Sequence, residues 1–139
     1  MAKPANTDVR LFTREEAEKT LPLVRVIVRD IVRDYEEYTR KSQELNARTV
    51  RQSAAITKEE MKALHELEEM VGALKKRIAE AGMELDKLGI ELKDCQLGLI
   101  DFPTKIGNEV AYLCWKHGEE HIGFWHGLSE GYPGRRPLT

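Results

Sequence analysis

Cysteine is nearly absent from this sequence, with only Cys95 and Cys114 in 139 residues. Two thiols cannot build the disulfide framework on which small secreted domains rely, so a reducing, cytoplasmic location is expected. Long apolar runs are missing as well. No stretch of about eighteen apolar residues and no basic-then-apolar leader occurs, which argues against membrane spanning and against export. An excess of charge of one sign is also lacking. The 22 basic and 24 acidic side chains leave a net charge of −2, too little for the global field that gathers nucleic acid or coats an anionic membrane. Arg25, Arg29 and Arg33 form a local basic ridge, but Asp30 and Asp34 lie close enough to neutralise it, so a salt-bridged helix face is expected rather than a nucleic-acid surface.

What is present is 41% apolar and 33% charged residues, the balance of one soluble domain, residues 1–139, with a modest core. Residues 1–11 carry Pro4 and Asn6 with little periodicity and read as a short arm. Thr13 then stands three residues before Glu16, the spacing of a reciprocal capping box, so a helix is expected from Arg14. Pro22 removes a backbone donor inside it, which predicts either a kink near Thr20 or a short helix followed by a long one from Leu21. Val24, Val28, Ile31, Tyr35, Tyr38, Ser42 and Leu45 keep one stripe at four-three spacing. The pattern breaks around Ala54, and Thr57 with Glu60 makes a second capping box, with Ile56 and Met61 as its staple. Leu64, Leu67, Val71, Leu74, Ile78, Ala81, Leu85 and Leu88 form the second seam, ending at Gly89.

Two such helices, each of roughly 30 residues or about 45 Å, pack as an antiparallel, coiled-coil-like hairpin over residues 12–88, whose polar tip projects into solvent or meets a second copy. A homo-oligomer formed through these helices is the expected partner. Residues 89–139 change to short runs with turn residues between them, as strands require. Ile90–Asp94, Gln96–Asp101, Glu109–Lys116 and Glu119–His126 are the candidates, with Gly98 marking a bulge and Phe102-Pro103 with Gly107-Asn108 punctuating a longer connection. The fold class is therefore α+β, a long helical hairpin followed by an antiparallel sheet of three to four strands.

The chemistry-bearing residues gather in the last strands. A two-residue turn at His117-Gly118 sets Lys116 opposite Glu119, Cys114 opposite His121 and Glu109 opposite His126. Ala111, Leu113, Trp115, Ile122 and Phe124 then face the helices, and Val110, Tyr112, Cys114, His121 and Trp125 face away. Thiolate and imidazole suit zinc or iron, so Cys114 with His121, supplemented by His117, Glu119 or His126, is the candidate metal site. Cys-x-x-His with His-x4-His matches no standard zinc spacing, so the leading reading is a small buried thiol among hydrogen-bonded or exposed histidines. His126 beside a carboxylate suggests acid-base chemistry, and Asp94 and Asp101 suggest a carboxylate site, but no recognisable nucleophile motif, phosphate loop or carboxylate pair accompanies them. The balance is against an enzyme.

Lys93-Asp94, Gly98-Leu-Ile-Asp-Phe-Pro103, Leu113-Cys-Trp, Gly118-Glu119 and Trp125-His126, with Phe12-Thr13, Glu16-Ala17 and Leu21-Pro22 upstream, make a pattern that resembles a family of small bacterial proteins of unknown function. The resemblance covers nearly the whole chain. It implies no activity or cofactor, but it singles out Asp94, Asp101, Cys114, Trp115, Glu119, Trp125, His126 and Arg135 as matching positions and leaves His117 and His121 outside the pattern. Asp94, Asp101, Trp115, Trp125 and Arg135 are accordingly candidate ligand-binding residues, and His126, Glu119 and Asp101 the candidates for any catalysis. Three functions follow: a module holding a metal ion or small polar ligand, a dimeric helical scaffold, or a small enzyme built on the Asp, Glu and His.

Overall fold

A computed structural model describes residues 10–51 and 55–139. The arm expected over residues 1–11 and the break around Ala54 lie largely outside the described residues. Helix α1 runs from Arg14 to Val50 and helix α2 from Lys58 to Lys87. Thr13 caps the first as expected. Its hydroxyl accepts from the Glu16 amide at 3.0 Å while the Glu16 carboxylate accepts from the Thr13 amide at 2.9 Å, satisfying two otherwise free ends. Thr57 caps the second through one bond, from the Glu60 amide at 3.1 Å, and Met61, expected in a staple, is 59% exposed.

Helix α1 is not divided at Pro22 but continues through it. One lost backbone bond is outweighed because Ala17, Leu21, Val24, Val28 and Ile31, on both sides of the proline, are all buried. Both predicted seams lie inward: every position from Val24 to Leu45 on α1 and from Leu64 to Leu88 on α2 is buried or half-buried. Within this apolar seam Asp34 is buried and receives a two-pronged contact from Arg77 of α2, with Nε at 3.2 Å from Oδ2. That bond fixes the register of one helix on the other. The Arg25–Arg33 ridge is neutralised locally, with Arg29 and Arg33 both on Asp30 at 3.4 and 3.3 Å.

The sheet has five antiparallel strands in simple meander order: β1 Glu91–Asp94, β2 Leu99–Ile106, β3 Glu109–Lys116, β4 Phe124–Gly127 and β5 Arg136–Pro137. One face lies on the helices. Ile100, Phe102, Leu113 and Trp115 join Phe12, Leu21, Val24, Val28, Ile31 and Leu85 in a single core.

The sheet has more than the three to four strands expected, since the end of the chain adds β5, and two other strands differ from expectation. Strand β2 runs straight through Phe102-Pro103, and Gly107-Asn108 is the two-residue turn of a β2–β3 hairpin that pairs Ile106 with Glu109; Gly107 supplies the positive φ of +62° that such turns need. Pro103 is tolerated because β1 pairs only as far as Asp101. On that open edge the Pro103 carbonyl accepts from the Phe12 amide at 2.7 Å, and no ladder donor is required of the proline.

The second difference sets which side chains of β4 share the outward sheet face with those of β2 and β3. The turn at His117-Gly118 forms, with the Glu119 amide on the Lys116 carbonyl at 3.0 Å. The Lys116 amide, however, goes to the Glu119 side chain at 2.8 Å rather than to the opposite backbone, and the Glu119 carbonyl is taken by the Trp115 indole at 3.1 Å. The chain then leaves the sheet, bonds the Ile122 amide to Glu18 of α1 at 2.7 Å, buries Ile122 in the core and returns only at Phe124. Pairing resumes with Cys114 opposite Phe124, Leu113 opposite Trp125 and Tyr112 opposite His126. This register is three residues away from the one expected of a simple hairpin. Because three is odd, β4 is turned over, so that Trp125 faces inward and Phe124 and His126 face outward. The expected Cys114–His121 and Glu109–His126 oppositions do not form.

Gly98, in the β1–β2 turn, has φ +67° and fits a gap that a Cβ would close, at 2.6 Å from His117 Cβ, 2.7 Å from Val32 Cγ2 and 2.9 Å from Val28 Cγ1. Gly98→Ala combines left-handed strain with overpacking where the sheet meets α1, and is expected to cost about 2–5 kcal/mol, read as a lower urea midpoint at unchanged slope. An unchanged midpoint would mean that this close approach does not exist in solution.

Candidate metal centre

On the outward sheet face the registers bring three side chains together. Asp101 of β2 lies directly opposite Cys114 of β3, and Tyr112, two residues back along β3, lies opposite His126 of β4. Asp101, Cys114 and His126 each offer one donor atom, and the three atoms lie within 4.8 Å of one another. Although they face away from the helices, all are buried, with relative exposures of 2%, 0% and 2%.

The bonding of His126 fixes its orientation. Nδ1 lies 2.8 Å from the Gly127 carbonyl oxygen, which can only accept, so Nδ1 carries hydrogen. Nε2 therefore points at Asp101 Oδ2, 2.9 Å away, either as a lone pair receiving the carboxyl proton or as an imidazolium N–H donating to a carboxylate. Burial pushes the Asp101 carboxyl above its ordinary range, and the contact with His126 opposes that rise. Asp101 Oδ1 is buried with no partner, a state that ordinarily costs about 1–3 kcal/mol. Burial, with the neighbouring Asp101 carboxylate, also pushes the Cys114 thiol up to about 12. Cys114 is thus a neutral thiol near pH 7, the opposite of an activated nucleophile.

Around the trio lies a ring of oriented groups. The Tyr112 ring is 5.4 Å from that of His126, and the Lys93 ammonium lies over the Tyr112 ring at 5.4 Å. Opposite, Arg135 sets one guanidinium nitrogen 3.9 Å from Cys114 Sγ, grips both oxygens of Glu119, and is stacked on Phe124 at 3.9 Å and on Tyr132 at 4.8 Å.

Of the residues singled out by sequence, Asp101, Cys114 and His126 are brought together, and Glu119 and Arg135 border them. The others lie elsewhere. His121 is 68% exposed with Nδ1 3.4 Å from Glu18, and His117 is exposed in its turn, its amide on the Gly98 carbonyl at 2.9 Å. Asp94 closes the β1–β2 turn by accepting from the Leu97 amide at 2.8 Å. Trp115 is a core residue, and Trp125 is on the inward face with Arg136 over its ring at 4.7 Å. Sequence reasoning missed the direct opposition of Asp101 and Cys114. The signal was present: counting outward from Gly107-Asn108 as a two-residue turn pairs these positions.

Asp101 and His126 should be strongly coupled in stability. Removing the imidazole with His126→Ala leaves a buried carboxyl with neither oxygen bonded and is expected to destabilise the metal-free protein by about 3–5 kcal/mol. In the background of Asp101→Asn the same change should cost clearly less, which a double-mutant cycle in urea measures. Additive effects would mean that the two side chains do not meet.

The chain belongs to the DUF2203 family of uncharacterized conserved proteins, whose model matches residues 10–138. No curated protein and no solved structure matches it.

Proposed function

We propose that this member of the DUF2203 family is a metal-binding module in which Asp101, Cys114 and His126 hold one divalent transition-metal ion. The observation that carries this reading is the buried three-donor cluster itself, one oxygen, one sulfur and one nitrogen from three adjacent strands within 4.8 Å. Tetrahedral zinc separates its ligand atoms by about 3.3–3.8 Å, and the three donor atoms here lie within 4.8 Å of one another. Two features beyond proximity support it. The Nδ1–H bond to Gly127 holds the imidazole in the tautomer that turns the Nε2 lone pair toward Asp101 and Cys114, the usual orientation of a ligating histidine. The unpartnered Asp101 Oδ1 is the buried polar atom that an ion would satisfy.

The donor set favours one class of ion. A thiolate and an imidazole with a single carboxylate suit zinc or ferrous iron, whereas magnesium and calcium require mostly oxygen. Charge balance agrees: two anionic ligands match a divalent ion, and the adjoining Arg135 and Glu119 cancel one another. The deep enclosure of the trio supports binding rather than turnover, and an ion bound there would have to displace the Cys114 thiol proton. The plainer reading, a structural Asp–His hydrogen bond beside a packed thiol, is favoured by the 2.9 Å contact, and the same experiment decides between them.

Untagged protein, reduced and dialysed free of metal, is titrated with zinc by calorimetry and then assayed by elemental analysis. One equivalent is expected per chain, with affinity lowered by at least about a hundredfold in Cys114→Ser and His126→Ala and unaffected in His117→Ala and His121→Ala. Absence of stoichiometric zinc, or binding that the His121 change abolishes and the Cys114 change spares, overturns the proposal.

A further inference from the structure

The trio sits on the sheet face turned away from the helices, yet it is sealed. The chain's last segment reaches the trio through Arg135. After β4, residues 128–135 turn back through a single 3-10 turn, Tyr132–Gly134, and Arg136–Pro137 adds a two-residue strand to β4. The segment's backbone attachments are few: the two β5 positions, the Leu138 amide on the Gly123 carbonyl at 2.8 Å, and turn bonds of its own. Strands this short contribute little by themselves. The strongest side-chain attachment is the Arg135 fork on Glu119, whose oxygens it engages one to each nitrogen. Both side chains are largely enclosed, at 13% and 21% relative exposure, where such a paired contact is worth more than at an open surface. Arg135 is also the residue of this segment that reaches the site, with Nη1 at 3.9 Å from Cys114 Sγ.

We propose that residues 128–139 form a strap over the Asp101–Cys114–His126 site and that the Arg135–Glu119 clamp controls how fast a metal ion enters and leaves. This rests on the metal-binding reading above. The clamp makes no bond to the three donors other than the long contact to sulfur, so loosening it should change rates in both directions far more than the equilibrium affinity. Glu119 is suited to this because one arm of the fork can be removed alone. Oε1 accepts both the Lys116 amide that sets the turn and one Arg135 nitrogen, bonds a glutamine amide oxygen can also accept, whereas the second arm, on Oε2, requires the carboxylate.

The test uses the full chain loaded with zinc and mixed with excess chromophoric chelator, for the wild type, Arg135→Ala, Arg135→Lys and Glu119→Gln, with zinc affinity measured separately. Release should quicken by about tenfold or more in Arg135→Ala and Glu119→Gln, the rate equivalent of ~1.4 kcal/mol, while the dissociation constant moves by less than about threefold. Arg135→Lys, which keeps the charge and loses the fork, should fall between. In the metal-free proteins, hydrogen exchange at the Leu138 and Arg135 amides should quicken alongside, with the Ile100 and Leu113 amides unchanged. Faster exchange in the strap with unaltered release overturns the gating role. Faster exchange of the core amides as well overturns it too, since the clamp is then a global stabiliser. A wild type that binds no zinc defeats the metal-binding reading itself, whereas a wild type that binds zinc and releases it at the variants' rate defeats only the strap.

Discussion

The Glu119 carboxylate is the point on which the C-terminal half of this protein turns. By accepting the Lys116 amide it occupies the position that a regular hairpin would give to opposing backbone. The chain is thereby released from the sheet for long enough to drop Ile122 into the core and tie its amide to Glu18 of α1. When pairing resumes, β4 has been turned over, and an imidazole that would have pointed to the helices points instead to Asp101. The same carboxylate receives the Arg135 fork, so the register of one strand and the anchorage of the last segment share one acceptor. A glutamate in a turn thus acts on three levels, from local hydrogen bonding to sheet register to the composition of a site.

The site that results has an unusual energetic character. Its three polar side chains are as deeply buried as the apolar core on the opposite face of the sheet, yet the bonding within it is weak: one carboxyl oxygen has no partner at ordinary hydrogen-bond geometry, and the thiol lies between the Asp101 carboxyl and a guanidinium nitrogen 3.9 Å away. Buried polar groups are normally satisfied, and a partly satisfied network is less favourable than an apolar one of the same shape. An ion bonded to oxygen, sulfur and nitrogen at once would satisfy both. The helical hairpin contributes rigidity to this arrangement, since the inward sheet face is locked onto α1 and α2 through Ile100, Phe102, Leu113 and Trp115, and the Asp34–Arg77 pair fixes the two helices to each other. A donor set carried by strands of a locked sheet is held more closely than one carried by loops.

The helices were legible because their signals are local and redundant. The two threonine caps mark where the helices start and the two seams mark which faces turn inward, and these hold, whereas the second capping box and its staple do not form in full and Pro22 does not divide α1. Strand β3 was legible to the residue, as was the inward placement of Ala111, Leu113 and Trp115. Pro103 misled because proline usually ends a strand, and nothing in the local sequence says that β1 stops short and leaves that edge to Phe12. The β3–β4 register was not legible, since it depends on a side chain competing with backbone for one amide and on Ile122 reaching a helix about a hundred residues earlier. Cys114 and His126 were named as ligands, but the path to their proximity runs through Asp101, whose position follows from the Gly107-Asn108 turn and from no metal-binding spacing.

The most direct measurement is a crystal structure of reduced protein grown with zinc, with diffraction recorded on either side of the zinc absorption edge. The account predicts one anomalous peak per chain bonded to Asp101 Oδ, Cys114 Sγ and His126 Nε2, with His126 Nδ1 still on the Gly127 carbonyl and the Asp101–His126 hydrogen bond replaced by two metal–ligand bonds. An anomalous peak only at the exposed His117 or His121, or none while Asp101 and His126 stay hydrogen-bonded, contradicts it.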